Sequence, residues 1–517
     1  MEAPARHTEE HPRQITNIDT LKFVFTLPDI KRILPLLMVA GCFFVGGLTS
    51  CTDDDDYTLS PEARLEFSTD TVAFDTVISG RPTNTYTFMV YNRNDKAIRL
   101  TSVALERGSE SPFRVNVDGT YLSGGSGTDF EIAARDSMRV FLEMTAVEHD
   151  SDTPVETIDK LFFHLESGLR QEVTLTAYGQ DVVSLDAMVL SRDTLLNARR
   201  PYHVLDSLVV AEGATLTIGE GVRFYFEAGA SLVVHGKLLV QGSAAHPVMF
   251  RGDRLGNMFS DQPYDRIPGQ WGGITLTSTS YGNVINHADI HSGNYGIRVD
   301  SADVAREKLQ LLNSIVHNVK GDAISARSAY VTAINCQLTN AGGNCVTLRG
   351  GDNVFVHCTI ANFYAFAGGR GVALDFANYD GDIRLPLYNA AFLNCIVTGY
   401  SSDEVMGAQS ERYTEDAFNY LLSNCLLNTP QVDDQRIVNC LWDNDDSEVC
   451  RDKNFAPEFD LDKLIFTFLL APTSQAVGTA DAEIAAQYAP TDLHGISRLA
   501  ESAPNMGCYQ TVLQPEE

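Results

Sequence analysis

Residues 331–362 read VTAINCQLTNAGGNCVTLRGGDNVFVHCTIAN. Two near-copies of one phrase stand in this stretch, Asn335-Cys336-Gln337-Leu338 and His357-Cys358-Thr359-Ile360, 22 residues apart. The rule is Asn or His, a small residue, any residue, then an apolar one. Toward the N-terminus it recurs as Asn313-Ser314-Ile315-Val316 and His287-Ala288-Asp289-Ile290. Toward the C-terminus it recurs as Asn394-Cys395-Ile396-Val397, Asn424-Cys425-Leu426-Leu427 and Asn439-Cys440-Leu441-Trp442. Successive spacings are 26, 22, 22, 37, 30 and 15. A period near 22 broken by longer gaps is the pattern of a solenoid with loops hanging from some coils. The last spacing is too short for a full coil, so the final tetrad belongs to a partial coil or to none.

Strand alternation assigns sides to these residues. If Leu338 points inward, so do Cys336 and Ile334, while Asn335 and Gln337 point out; Val356, Cys358 and Ile360 repeat the pattern. Stacked coils lie about 4.8 Å apart. Cys336, Cys358, Cys395, Cys425 and Cys440 then form an internal column. Read as thiols they are small apolar filler for a narrow core. Disulfides stay open for an exported chain, although neighbouring strand partners rarely offer the geometry. A metal reading of this column fails because it is linear and lacks Cys-x-x-Cys clusters. A second column, Asn318, Asn340 and Asn362, keeps the spacing of 22 and 22. Asparagine tolerates bends and can bond the backbone of the next coil, so its role is read as structural.

Residues 208–250 show short Val/Leu/Ile bursts ending at glycine after glycine, with no helical period. This text resembles the opening coils of right-handed parallel β-helix proteins, and Gly269-Gln270-Trp271-Gly272-Gly273-Ile274 resembles their next coil. Asn318, Asn340 and Asn362 resemble the asparagine ladder at the bends of that fold. Asp492-Leu493-His494-Gly495, Arg498 and Met506-Gly507-Cys508-Tyr509 resemble its closing segment. The resemblance implies a β-helix over 181–510, its final coils and a C-terminal cap included.

The preceding stretch, 62–180, reads differently. ARLEFST, TVAFDTVI, NTYTFMVYN, AIRLTSVAL, FRVNV, MRVFLEMTAV, KLFFHL and QEVTLTAYG alternate apolar and polar residues between turn clusters. About eight short strands fit one antiparallel sandwich, and the absence of cysteine excludes a disulfide-pinned one. The stretch resembles the immunoglobulin-like spacers of secreted bacterial proteins. The expected fold class is therefore all-β, an immunoglobulin-like β-sandwich followed by a right-handed parallel β-helix.

The chain of 517 residues carries 38 Lys plus Arg against 68 Asp plus Glu, a formal charge of -30. A surface that acidic argues against wrapping nucleic acid. Lys31-Arg32 precede an apolar run, ILPLLMVAGCFFVGGL, that has the length and flanks of an export signal. Leu48-Thr49-Ser50-Cys51 follows and resembles a bacterial lipobox, which implies a signal peptide over 1–50 and lipidation of Cys51. Asp53 to Asp56 lie in an acidic tether, 51–61. An acidic run there resembles the surface-export signal of Bacteroidetes-type lipoproteins. A surface-exposed outer-membrane lipoprotein is expected, acting as a monomer.

The chemistry is thinner. The two histidines His287 and His357 stand three coils apart, roughly 14 Å by strand spacing, too far for a concerted pair. The column they share with the asparagines reads as a solvated strand face. The best acidic group lies between the fourth and fifth tetrads: Asp375, Asp380 and Asp382, with Arg370 and Arg384 nearby. Two carboxyls could serve inverting hydrolysis; a lyase would need carboxylates for Ca²⁺ and a base. The motif blocks of the polygalacturonases are absent, as are a phosphate loop, a Gly-x-Ser-x-Gly elbow and a His-Glu-x-x-His helix. No metal site is expected, and no cofactor apart from Ca²⁺ under the lyase reading. Tyr364, Phe366, Tyr379, Tyr388 and His357 are candidates for glycan contact. Three readings remain: a surface lipoprotein that binds glycan or protein without catalysis, a polysaccharide lyase or hydrolase, and a purely structural envelope protein.

Overall fold

The computed structural model describes residues 57–510 apart from 260–261, 457–463, 465 and 501–502. The apolar run, Cys51 and the aspartates of the tether lie outside the described residues. No described helix is long and apolar enough to cross a membrane.

Residues 65–180 form two packed sheets. One holds five strands in the order Leu65–Phe67, Tyr86–Asn92, Ser137–Met144, Phe113–Val117, Thr120–Tyr121. The other is built around Ile98–Leu105, Val155–Leu165 and Arg170–Gln180. Alternation puts Val72, Val90, Leu100, Val140, Leu142, Leu161 and Phe163 in the common core, all essentially inaccessible. One pairing departs from the antiparallel expectation. Thr71–Ile78 runs parallel to Arg170–Gln180, with Leu175 opposite Val72.

From Val183 the chain winds into coils whose strands stack into three parallel sheets. Sheet A has 11 strands, from Val183–Leu185 to Leu441–Trp442. Sheet B has nine, from Met188–Leu190 to Val405–Ala408, and sheet C has ten, from Thr194–Leu196 to Ile437–Val438. The fourth tetrad residues align in register down sheet A: Ile290, Val316, Leu338, Ile360, Val397, Leu427 and Trp442. That inward column continues up to Phe250 and Phe224, whose rings stack at 5.1 Å. Trp271 is fully buried and stacks on Phe226 at 4.3 Å. The last tetrad does pair, through Leu441 to Leu426, in a shortened turn that adds strands to sheets A and C but none to sheet B.

The first tetrad residue is not a strand residue. His287, Asn313, Asn335, His357, Asn394, Asn424 and Asn439 all have φ between 47° and 55°, the left-handed region that Asn and His tolerate best. Each makes the bend from sheet C to sheet A. The bend resets the alternation, so Ala333 and Cys336 face inward and Ile334 faces out, against the expectation for Ile334. The amides also link neighbouring coils: Asn335 Nδ2 donates to Asn313 Oδ1 at 3.1 Å and Asn313 Nδ2 to Asn286 Oδ1 at 2.9 Å. In the other asparagine column, Asn340 Oδ1 accepts from Phe363 N and Asn362 Oδ1 from Ala341 N, each at 3.2 Å. Asn318 is buried in the same column at φ 50°.

All eight described cysteines are free thiols. In the column each Sγ donates to the carbonyl two residues back and to one in the coil before. Cys358 thus reaches Val356 O and Ala333 O, both at 3.5 Å. Cys440, in the short last turn, is only half-buried.

The C-terminal segment is more than an end cap. It runs back along the outer face of sheet A, where Phe455, Phe468, Leu470, Met506 and Cys508 bury Ala361, Ile396 and Leu426. Gly507 has φ 79° there and no room for a side chain, since a Cβ would stand 2.6 Å from Thr359 Oγ1 and 2.7 Å from Ile396 Cδ1. Fully buried Arg498 donates to Asn335 Oδ1 and Gly507 O, each at 3.0 Å. Asp481 caps the helix Ala482–Tyr488 and exchanges hydrogen bonds with Asn394.

Candidate functional site

The three aspartates of the insertion do not converge. Asp375 points outward from sheet B and takes a fork of two bonds from Arg349, at 2.6 and 3.0 Å, with Asn344 Nδ2 at 3.2 Å. Asp380 sits in the hairpin Tyr379–Arg384 and pairs with Arg327 at 3.1 Å. Asp382, almost fully exposed at the hairpin tip, pairs with Arg412 at 3.1 Å. Each carboxylate is matched to its own arginine on a different part of the chain. Such pairs make sound surface geometry but do not set two carboxyls facing each other across a sugar.

The aromatic candidates are likewise dispersed. Tyr364 is buried, and Phe366 packs against it with ring centroids 5.2 Å apart. Tyr379 is half-buried in the hairpin. Tyr388 is exposed, but on sheet C. They form no common strip. His357 is fully buried under the C-terminal segment and offers no surface to solvent. Its Nδ1 lies 3.3 Å from Gly507 O and its Nε2 2.9 Å from Asn394 Nδ2, the pattern of a neutral ring. Burial first, then the nearby Arg498 charge, hold it well below the usual histidine range.

A different group does come together. In the sheet A register, Asp289 precedes the inward Ile290 and His291 follows it, so both face outward. His317 lies beside His291 on the next coil, with ring centroids 4.9 Å apart. Asp289 Oδ1 is 2.8 Å from His291 Nδ1 and 3.2 Å from His317 Nε2. The second ring nitrogen of His291 meets Asp265 Oδ1 at 2.7 Å, and Arg251 Nη1 holds that carboxylate at 2.8 Å. His291 is the buried floor, with its side chain 3% exposed, whereas Asp289, His317 and Asp265 open to solvent at 29%, 25% and 40%.

With a carboxylate at each nitrogen, His291 carries both protons. Burial opposes that charge, but Asp289 and Asp265 outweigh it and raise the ring to about 9. Burial likewise opposes ionisation of Asp289, yet the His291 charge and the bonds from both rings hold it far below the usual carboxylate range. Asp265 is lowered for the same reason, against its burial, by His291 and Arg251. Asp289, His291 and His317 are the one group among the described residues whose ligating atoms, within 4.8 Å of one another, could hold a metal ion. No metal site was expected from the sequence. The signal was present one residue past the tetrad, where His291 and His317 occupy the same place in successive coils.

With this geometry established, known proteins add the handedness of the solenoid. A family model described as a right handed beta helix region matches residues 272–408. The chain is thus a right-handed parallel β-helix behind an N-terminal β-sandwich of immunoglobulin-like character. No curated protein matches it. Solved structures overlap it in part. The ASH / PapD-like domain of human CEP192 is 12% identical over 24% of this chain and 90% of that one, at a TM-score of 0.17. The periplasmic chaperone SfaE is 11% identical over 23% of this chain and 58% of that one, also at 0.17. A catalytic domain of a GH87 alpha-1,3-glucanase in complex with nigerose is 8% identical over 67% of this chain and 82% of that one, again at 0.17. At those scores no functional conclusion rests on them.

Proposed function

We propose that the protein is a lipid-anchored, surface-displayed lipoprotein whose β-helix binds a glycan chain without cutting it. The observation that carries the reading is the difference between two faces of the solenoid. The outer face of sheet A lies under the C-terminal segment across its later coils, at Ala361, Ile396 and Leu426, while no described segment builds an apolar cluster over sheet B. The outward residues of sheet B align coil by coil as Val233, Thr275, Arg298, Ser325, Thr347, Asp375 and Met406. This ribbon offers hydroxyl, guanidinium and thioether groups at intervals of about 4.8 Å, a linear array suited to a linear polymer. Its one acid, Asp375, is already matched to Arg349, which leaves hydrogen bonding rather than acid–base chemistry as the ribbon's contribution. The lipobox at Cys51 and the aspartates after it support anchoring and export to the surface.

The soluble chain from Thr52 is expected to be retained on at least one polysaccharide of a panel spanning neutral and uronic-acid polymers. Arg298→Glu and Met406→Glu each weaken that retention at least tenfold, while Thr217→Glu on sheet C leaves it unchanged. Retention insensitive to both sheet B variants overturns the assignment of the face. No retention on any polymer moves the assignment to a protein partner or a structural role.

A further inference from the structure

We propose that Asp289, His291 and His317 form a binding site for one divalent transition-metal ion of the zinc class, with Asp265 holding His291 from behind. This goes beyond the glycan reading and does not depend on it. The donor set is two imidazoles and one carboxylate. Such nitrogen-rich sets suit zinc, cobalt, nickel or copper, whereas Ca²⁺ and Mg²⁺ ask for more oxygens.

The distances are close to those a small ion requires. Ligands about 2.0–2.2 Å from a tetrahedral centre stand roughly 3.3 Å from one another. Asp289 Oδ1 already lies 2.8 Å from His291 Nδ1 and 3.2 Å from His317 Nε2, and all three atoms fall within 4.8 Å. Rotamer adjustments of a few tenths of an ångström open the first two separations. Asp289 and His317, both part-exposed, are free to make these adjustments while buried His291 stays in place. The ion takes the place of the ring protons that now bridge to Asp289.

The surroundings supply what a ligating histidine ordinarily has. Its far nitrogen donates to a carboxylate that fixes the ring and raises its basicity. Asp265 Oδ1, at 2.7 Å from His291 Nε2 and steadied by Arg251, occupies that position. Three protein ligands with a solvent-facing side leave a fourth position for water or a ligand atom, unlike the closed four-ligand sites of purely structural zinc. The strands also fix the set. Asp289 and His291 alternate on one strand, and His317 is held beside His291 by the parallel register.

The test uses the chain from Thr52 with Zn²⁺ and, as a spectroscopic probe, Co²⁺. Cys440 and Cys450 are replaced by serine, because half-exposed thiols are competing ligands. Equilibrium dialysis is expected to retain one equivalent of Zn²⁺, with Ca²⁺ in excess failing to displace it. Co²⁺ is expected to give visible bands of four- or five-coordinate intensity. His317→Gln and Asp289→Asn each lower the affinity at least 100-fold, and Asp265→Asn lowers it about tenfold, in line with the loss of an outer carboxylate. Asp382→Asn, at the exposed hairpin tip, changes nothing. Circular dichroism checks the fold of each variant, and if Asp289→Asn does not fold, His317→Gln decides alone. No retained ion, or retention unaltered by His317→Gln, overturns the proposal. Neither result bears on glycan retention, which is measured separately.

Discussion

Replacing Arg370 by methionine is expected to destabilise the protein by about 3 kcal/mol at neutral pH and by much less at pH 5. Glu404, the partner, is fully buried. Arg370 reaches it through Nη2 at 2.6 Å and Nη1 at 3.3 Å, and also donates to Gly371 O at 2.9 Å and Ser401 Oγ at 3.1 Å. Breaking a buried pair from one side costs about 3–5 kcal/mol, because the remaining charge is left in a poor solvent. Two backbone donors stay on the carboxylate, Ser401 N at 2.7 Å and Ala373 N at 2.8 Å, which places the loss at the lower end. Burial raises the Glu404 carboxyl above its ordinary value, and Arg370 pulls it back. An acid with a raised folded value holds its proton in the native state after the unfolded chain has released it. Its stabilising effect is therefore present below the unfolded value and lost as pH rises through the folded one. Removing Arg370 pushes that folded value higher, so the penalty is largest at pH 7 and shrinks as Glu404 takes up a proton. Urea denaturation of wild type, Arg370→Met and Arg370→Met/Glu404→Gln at pH 7 and pH 5 reads this directly. The double variant recovers at least half of the loss at pH 7. A loss under 1 kcal/mol, or one that does not change with pH, refutes the reasoning.

Two further outcomes follow from the core and the C-terminal segment. The chain from Thr52 retains eight of the ten cysteines, six of them buried, with Cys508 pushed up by burial to about 12. An aromatic disulfide reagent at pH 8 will react rapidly with no more than two thiols in the native protein and with all eight after denaturation; faster labelling of a third contradicts the buried column. Gly507→Ala places a Cβ in the left-handed region and against Thr359 and Ile396, at a cost of about 2–4 kcal/mol. Hydrogen exchange should then rise in 490–510 and at the sheet A bends but not in 65–180, and an unchanged exchange pattern would show that the segment does not depend on this contact.

The repeat was legible because stacking makes each coil answer for the next. The seven apolar fourth residues from Ile290 to Trp442 proved to be one inward column in register, and an eight-strand alternation marked the sandwich. The misreading of the tetrad's first residue has a local cause. Alternation carried straight through Asn335 and its equivalents puts them on a solvated strand face, whereas their left-handed φ breaks it and makes each a bend. The third tetrad column hinted at the lateral C-terminal segment, since outward Ile396, Leu426 and Leu441 replace Asp289 and Gln337. Nothing in the aperiodic spacing of Phe455, Phe468 and Met506 says which strands they meet. The Asp289, His291 and His317 group was missed by one residue of reading frame. Asp265 comes from a separate loop, and its approach to His291 depends on folding rather than spacing.

The most direct test of the central claim asks whether polymer that is bound remains whole. The chain from Thr52 is incubated with each soluble polysaccharide it retains, with and without Ca²⁺ or Zn²⁺, and polymer length is followed by size-exclusion chromatography. A protein–polymer complex is expected, from which the glycan is recovered at its original length under every condition. Progressive shortening of the polymer, abolished by substitution on sheet B or at Asp289, would contradict it and make the protein an enzyme.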